Sequence, residues 1–191
     1  MRAREFLEIL HTAERLKDTL RHCTTSLGRR ESVAEHSWRL ALAAFLAAGE
    51  FPQLDTDRVI AMCLVHDLGE CFTGDIPTFL KTDADRGTEA ERLESWLASL
   101  PEDVSERTGA LLRELEEGQT PEARLCRALD KMEALIQHNE SPLSTWSDNE
   151  HELNRTYAFD AAAFDPWLSE LRREILADTL EKEAREGRTD L

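Results

Sequence analysis

A short apolar segment of the sequence ends in two titratable residues. The segment VIAMCLV (59–65) runs directly into His66 and Asp67, and Glu70 and Asp75 follow closely. A buried carboxylate without a partner costs several kcal/mol and tends to take up a proton instead. A divalent cation removes this cost, because imidazole nitrogens and carboxylate oxygens are ordinary ligands of transition metals. The pair therefore points to a metal site at the end of an apolar helix.

Two more residues of the same chemical types lie at the edges of apolar helical faces. His36 precedes Leu40 at helical spacing, so its imidazole is expected to point at the core, and Asp130 lies at the edge of a later apolar face. Taken singly, such residues more often form an ordinary hydrogen bond or ion pair. Neighbouring helical residues point about 100° apart, so the His-Asp pair can reach one ion only from a helix end or edge. The ordered set, with every member on a helix, favours a shared ion.

The elements that must position these residues are predicted to be helical. Apolar residues recur at helical spacing, period-two clusters of β-branched residues are absent, and Gly and Pro are sparse inside the segments. We therefore predict an all-α protein. Ser32, Thr120 and Asp165 are typical N-cap residues. The predicted helices cover about 3–21, 32–49, 56–70, 86–99, 102–117, 120–138 and 166–186. The polar stretch 139–150 is predicted to be a loop.

Length and charge limit the possible architectures and partners. A chain of 191 residues with 41% hydrophobic content suits one domain over 1–191, with a metal-binding core at about 16–140. The net charge of −16 repels phosphate polymers, so we expect no nucleic-acid polymer as partner. A small phosphorylated ligand remains compatible with this charge where a metal or a local arginine reverses the sign inside a pocket.

Cysteine usage and hydropathy predict the compartment. The four cysteines form no C-x-x-C pair and are predicted to be buried, reduced thiols of a cytosolic protein. They are Cys23, Cys63, Cys71 and Cys126. The first residues lack the continuous apolar run of a signal peptide, and the longest apolar stretch, 40–48, is too short to span a bilayer. We predict a cytoplasmic protein without a membrane partner.

The ordered set of His36, His66-Asp67 and Asp130 resembles the HD superfamily of metal-dependent phosphohydrolases. Two longer strings, RRESVAEHS (29–37) and HDLGECFTGDIPT (66–78), closely resemble the HD-domain 5′-deoxynucleotidases of the YfbR-like group. The resemblance covers about residues 16 to 81 and resumes around Asp130. It implies a single-domain HD-type helical bundle with a metal site in its core.

The resemblance also implies roles for individual residues. One divalent cation, of Co, Mn, Mg, Zn, Ni or Fe, would be held by four residues. These are His36, His66, Asp67 and Asp130. Asp67 and Glu70 would be catalytic, with Glu70 next to the water molecule. Whether Glu70 acts as acid or base is left open by the sequence.

Three residues would contact the substrate, a nucleoside 5′-monophosphate. Arg21 matches the arginine that meets the phosphate, with Lys81 a weaker candidate, and Asp75 would bond to the sugar. Where the bacterial relatives have a tryptophan after that arginine, this chain has His22. Selectivity against a 2′-hydroxyl therefore does not follow from the resemblance, and ribonucleotides remain candidate substrates.

Three other functions stay open from the sequence. One is another HD hydrolase, acting on an alarmone or a phosphodiester; a Gly-Tyr-Pro element typical of the cyclic-dinucleotide branch is absent. A second is a non-catalytic helical protein that binds a nucleotide or a structural metal. A third, a di-iron oxygenase, needs further histidine ligands, and the remaining histidines show no matching spacing. These are His11, His22, His138 and His151. The resemblance also implies a homodimer, whose surface we expect on the helices after residue 85.

Overall fold

The structure, a computed structural model, describes residues 1–77 and 80–187. Thr78, at the end of the second string quoted above, and residues 188–191 of the predicted domain lie outside this part. The chain is an all-α bundle with one small two-stranded sheet in the described ranges. The helices are α1 (Ala3–Ala13), α2 (Val33–Ala47), α3 (Thr56–Val65), α4 (Glu70–Thr73), α5 (Asp83–Ala98), α6 (Glu102–Glu117), α7 (Pro121–Glu140), α8 (Asp148–Thr156), α9 (Phe159–Ala162) and α10 (Pro166–Glu186). The strands are β1 (Leu20–Thr24) and β2 (Arg30–Ser32).

The three predicted N-caps start three of these helices. Ser32 Oγ accepts the backbone N–H of Glu35 at 3.3 Å before α2, and the Glu35 carboxylate accepts the N–H of Ser32 at 2.9 Å. Thr120 Oγ1 accepts an N–H at 3.2 Å before α7, and Asp165 Oδ1 accepts one at 2.8 Å before α10. Each cap satisfies a backbone donor that the first helical turn leaves open.

The prediction of one α-helix over 3–21 is wrong from residue 14 onward. The helix α1 ends at Ala13, a 3₁₀ turn covers Glu14–Lys17, and β1 then pairs antiparallel with β2. Arg30 adds to this pairing, since its Nε donates to the backbone oxygen of Arg21 at 2.7 Å. The residues that pair with β1 lie about ten residues further along the chain. The spacing of apolar residues within 3–21 therefore could not predict this strand.

The predicted loop over 139–150 is also partly helical. The helix α7 continues to Glu140, a 3₁₀ turn covers Leu143–Thr145, and α8 begins at Asp148. Ser147 caps α8, and its backbone N–H donates to the carboxylate of Glu150. The Ser-x-x-Glu spacing is a capping-box signal that the polar composition of the stretch concealed.

The hydrophobic core fixes the helices that carry the candidate site. Leu40 of α2, Met62 of α3 and Met132 of α7 are almost fully buried in one cluster, which α6 and α10 extend. The helix α3 ends five residues earlier than predicted, and the chain turns through residues 66–69 into α4. No described helix is long and apolar enough to cross a membrane.

Candidate active site

The four predicted metal ligands converge beside the core. His36 lies in the first turn of α2, His66 and Asp67 follow the end of α3, and Asp130 lies midway along α7. His66 Nε2 is 2.9 Å from Asp67 Oδ2, and His36 Nε2 is 3.1 Å from Asp130 Oδ1. The cross distances are 3.9 Å from His36 Nε2 to Asp67 Oδ2 and 3.7 Å from His66 Nε2 to Asp130 Oδ1. We call these four residues the His-Asp centre.

These separations suit ligands of one ion. Two donor atoms that each lie about 2.1 Å from a common metal are roughly 3.0–3.5 Å apart. His66 and Asp67 both reach the centre because the pair stands at the end of α3, as the divergence of neighbouring helical residues requires. The Asp130 side chain is 38% exposed, so the centre opens to solvent on one side.

The second nitrogen of each imidazole is held by the protein. His66 Nδ1 donates to the backbone oxygen of Cys63 at 2.9 Å, and His36 Nδ1 donates to the buried carboxylate of Glu133. Both contacts leave an Nε2 lone pair pointing into the His-Asp centre. Histidine ligands of metals are usually fixed in this way, with the outer ring N–H bonded to a carbonyl or carboxylate.

The charges of the His-Asp centre fit a cation. Within the described residues, His66 Nε2 is buried, and its 2.9 Å contact with Asp67 Oδ2 does not have the geometry of a hydrogen bond. Burial alone would lower the pKa of His66, but the carboxylates of Asp67 and Asp130 raise it to about 10. A proton on His66 is one way to balance the two carboxylates, and a divalent cation that displaces this proton is the other. The donor set of two imidazoles and two carboxylates therefore fits a divalent metal.

Glu133 is a site residue that the sequence analysis missed. It is 2% exposed, lies one turn after Asp130 on α7, and accepts from Arg39 Nε at 2.6 Å as well as from His36. Burial raises the pKa of Glu133, but His36, Arg21 and Arg39 together lower it to about 2. A carboxylate three residues after a ligand on an apolar helical face is a signal that could have identified it.

Glu70 and Asp75 lie on the turn that follows the His-Asp pair. Glu70 is 7% exposed and begins α4, and Asp75 is half-buried. Within the described residues, Glu70 Oε2 and Asp75 Oδ2 are buried and make no hydrogen bond. Burial raises the pKa of Glu70 to about 9, and the charges of Asp67 and Asp75 act in the same direction. Each of the two carboxyl groups thus keeps one buried oxygen without a hydrogen-bond partner among the described residues.

Arg21 projects from β1 toward the same region. Its Nη1 lies 3.4 Å from Glu133 Oε2 and 3.5 Å from Glu31 Oε2. A cavity of about 270 Å³ opens beside it, lined by both charged and apolar side chains. The lining includes Arg21, His22, Asp130, Lys131, Leu153 and Tyr157. Lys81, the weaker phosphate candidate, instead pairs with Glu89 at 2.6 Å.

Several known proteins are similar to this chain in sequence and in fold. The model of a family described as HD domain matches residues 13–172. A human 5′-deoxynucleotidase is 30% identical over 161 residues, which are 82% of this chain and 76% of the relative. A dATP triphosphohydrolase of cyanophage S-2L is 33% identical over 135 residues, which are 68% of this chain and 70% of that relative. The crystal structure of a protein described as a predicted metal-dependent phosphohydrolase, from Magnetospirillum magnetotacticum, superposes with a TM-score of 0.79 at 27% identity. It covers 95% of this chain and 96% of that one.

Proposed function

The chain belongs to the HD domain family, and from this premise we propose that it is a metal-dependent phosphohydrolase that converts deoxynucleoside 5′-monophosphates to nucleosides and inorganic phosphate. The observation that carries the proposal is the convergence of four donor atoms in the His-Asp centre, 2.9–3.9 Å apart along the measured pairs. The human relative, a 5′-deoxynucleotidase, supports the substrate class.

The metal ligands in this proposal are His36, His66, Asp67 and Asp130. A divalent cation of Co, Mn, Mg, Zn, Ni or Fe at this place would lower the pKa of water and neutralise charge on the phosphate. The anionic carboxylates of Asp67 and Asp130 would help to hold the ion. They also repel a phosphate that approaches without one, so the centre must be loaded before the substrate binds.

The chain's own residues complete the reaction in distinct ways. Arg21 offers a planar fork of N–H donors to the phosphate oxygens, and its orientation is fixed by Glu31 and Glu133. Glu70 transfers a proton at the reacting phosphate, and Asp75 accepts a hydrogen bond from a sugar hydroxyl. The cavity that Arg21 and Asp130 both line receives the nucleoside, whose apolar surface packs along Leu153 and Tyr157.

An assay of metal-stripped protein tests this function. We expect phosphate release from nucleoside 5′-monophosphates after addition of Co²⁺, Mn²⁺, Mg²⁺ or Zn²⁺, and loss of that release with a chelator. Because His22 stands where a bulky aromatic residue would approach the sugar, we expect paired ribonucleotides to be hydrolysed as well. Absence of turnover with every cation, together with a melting temperature raised by metal and nucleotide, would instead support a non-catalytic binding protein.

A second candidate reaction has one observation in its favour. The cyanophage relative, a dATP triphosphohydrolase, matches 68% of this chain. Adding dATP to the same assay separates the two reactions, because hydrolysis at the sugar releases inorganic triphosphate and a monophosphatase leaves dATP intact. The volume of about 270 Å³ favours the monophosphate, as does the presence of one arginine, Arg21, among the described residues that line the cavity.

We further propose that the protein is a homodimer, joined by the outer face of α2. Trp38, Phe45 and Leu46 on this face are 63–70% exposed, and Leu42 lies between them at helical spacing. Residues 38–47 contain no acidic residue, so two chains of net charge −16 can approach here with little repulsion. The surface predicted from the sequence was the helices after residue 85, where α10 exposes only Leu180 among the large apolar residues.

Replacing Leu46 by Glu is expected to convert the dimer to a monomer. The substitution places a charge in an apolar interface, where it has no partner. Light scattering after size-exclusion chromatography should show the wild-type chain at twice its sequence mass and Leu46→Glu at its sequence mass. Leu180→Glu on α10 is the control and should remain dimeric. A monomeric wild type, or a dimer that withstands both Leu46→Glu and Phe45→Glu, would contradict the interface.

One domain over the whole chain and a cytoplasmic location also belong to this proposal. The apolar cluster that packs α2, α3 and α7 continues to α10, which supports a single folding unit. All four cysteines are free and buried, as expected for a protein of a reducing compartment.

A further inference from the structure

A second cluster of metal-binding donors lies apart from the His-Asp centre. His22 and Cys23 are neighbours on β1, and His138 lies in the last turn of α7. The ring nitrogens and the thiol of these three residues all lie within 4.8 Å of one another. Glu150 of α8 adds a carboxylate, whose Oε1 is 3.3 Å from His22 Nε2 and 3.5 Å from His138 Nε2.

The distances in this cluster match a coordination sphere. Cys23 Sγ is 3.3 Å from His138 Nε2 and 3.8 Å from His22 Nε2. A sulfur at about 2.3 Å and a nitrogen at about 2.05 Å from a tetrahedral zinc ion are roughly 3.5 Å apart, and nitrogen and oxygen ligands roughly 3.4 Å. The observed sulfur–nitrogen and nitrogen–oxygen distances lie on both sides of these values.

Neighbouring side chains fix the ring orientation and the tautomer of His138 in a form that can bind a metal. Its Nδ1 is 2.8 Å from Oδ1 of Asn154, which is fully buried. The orientation of that amide is fixed, because its Nδ2 donates to Asn139 Oδ1 at 3.1 Å and to the backbone oxygen of Leu135 at 3.3 Å. Asn154 Oδ1 is therefore the acceptor of the His138 Nδ1–H, and the lone pair of His138 Nε2 faces Cys23 and Glu150. Such an outer hydrogen bond is what metal-binding histidines have.

We propose that His22, Cys23 and His138, together with Glu150, form a second metal site that binds a thiophilic divalent cation such as Zn²⁺ or Co²⁺. A thiolate with two imidazoles prefers these ions to Mg²⁺ and Mn²⁺, whereas the two-carboxylate His-Asp centre accepts the harder ions as well. Metal binding at this site does not depend on the proposed hydrolysis, because the same four side chains could bind the ion in a protein without catalytic activity.

The protonation of the cluster is compatible with this site. Burial lowers the pKa of His22 to about 4 and also lowers that of His138, so both imidazoles are neutral and can ligate. Burial raises the pKa of the Cys23 thiol to about 12, so the ion displaces a proton from sulfur when it binds. His22 is 26% exposed and borders the cavity, which gives the ion a path of entry.

An ion at this place would join β1 to two consecutive helices, α7 and α8, that lie more than a hundred residues further along the chain. It would connect β1 to the end of α7 and the start of α8 through His138 and Glu150. Arg21 is the residue before His22, so the site would also restrain the strand that presents the guanidinium to the cavity. The site is therefore a structural cross-link beside the cavity.

Cobalt loading of the metal-stripped, full-length chain tests the site. A cysteine thiolate bound to Co²⁺ gives a charge-transfer absorption in the near ultraviolet, and ligation by nitrogen and oxygen alone does not. We expect this band in the wild type, and we expect Mn²⁺ loading to leave the cluster empty. Cys23→Ser and His22→Gln should each lose the band and bind one Co²⁺ per chain less than the wild type, as measured by elemental analysis.

Two variants distinguish this site from other sources of the signal. Cys126→Ala removes a buried thiol elsewhere in the core, 3.5 Å from Cys63 Sγ, and should keep both the band and the cobalt content. Asp67→Asn should lose cobalt from the His-Asp centre but keep the band. His22 is only partly buried, so His22→Gln is expected to fold even if a change at buried Cys23 disturbs the strand. A wild type without the band, or a band that survives in folded Cys23→Ser, would overturn the proposal.

Discussion

Replacing Asp67 by Asn is expected to lower kcat/KM for nucleoside 5′-monophosphates by about a thousand-fold or more, or about 4 kcal/mol of transition-state stabilisation. Asp67 Oδ2 lies 2.9 Å from His66 Nε2 and 3.9 Å from His36 Nε2, so its carboxylate is central to the proposed ligand set. Asparagine keeps the size of the side chain but removes the negative charge. The remaining ligands then hold a divalent cation much more weakly, and saturating metal should restore activity only in part.

A second measurement separates loss of the metal from loss of the fold. A cation that binds only the folded chain raises the melting temperature by mass action. Mn²⁺ suits this measurement because it should load the His-Asp centre and not the second proposed site, here called the thiol cluster, of His22, Cys23, His138 and Glu150. The wild type is expected to show this rise, and Asp67→Asn is expected to lose most of it. Asp57→Asn, an exposed substitution in the first turn of α3, should retain both the rise and the activity. Normal metal-dependent turnover by Asp67→Asn would refute the assignment of the centre.

The convergence of residues in the His-Asp centre could be predicted because several of them carry a local signal. His36 follows a capped helix start, and the His66-Asp67 pair ends an apolar run. The core then brings the helices together, because α2, α3 and α7 bury their apolar faces in one cluster. Local patterns of this kind also gave the starts of α2, α7 and α10, since an N-cap acts within three residues of itself.

The remaining parts of the site depend on contacts that no local pattern records. Arg21 was expected on a helix because residues 3–21 have helical spacing, but its strand is defined by pairing with β2. In the sequence, Glu133 is indistinguishable from the other charged residues of α7. Its role depends on its contacts with His36 and Arg39, which lie on another helix. The same holds for the thiol cluster, where His138 meets a strand more than a hundred residues earlier in the chain.

Replacing Glu70 by Gln is expected to lower kcat by about 10²- to 10⁴-fold while metal binding and KM change little. Glu70 is 7% exposed and follows Asp67 by one turn, so it lies close to the His-Asp centre. The 5′-oxygen of a nucleotide is a poor leaving group unless it gains a proton. Burial raises the pKa of Glu70 to about 9, with Asp67 and Asp75 acting in the same direction, so Glu70 retains a proton at neutral pH. This favours Glu70 as the proton donor, a choice that the sequence left open.

The pH dependence of the rate tests this role, because its direction distinguishes a proton donor from a base. A group that must be protonated to act keeps the rate constant below its pKa, and the rate falls as the pH rises through that value. A cation at the neighbouring ligands offsets the charge of Asp67, so in the loaded enzyme this fall should begin at or below about pH 9. Glu70→Gln should have a low kcat without that descending limb, and Glu91→Gln, an exposed change on α5, should have the wild-type profile.

Other outcomes would contradict this role. If the wild-type rate instead falls only toward acid, and Glu70→Gln removes that acid limb, Glu70 is the base that activates water. If Gln leaves kcat and profile unchanged, Glu70 has no part in proton transfer.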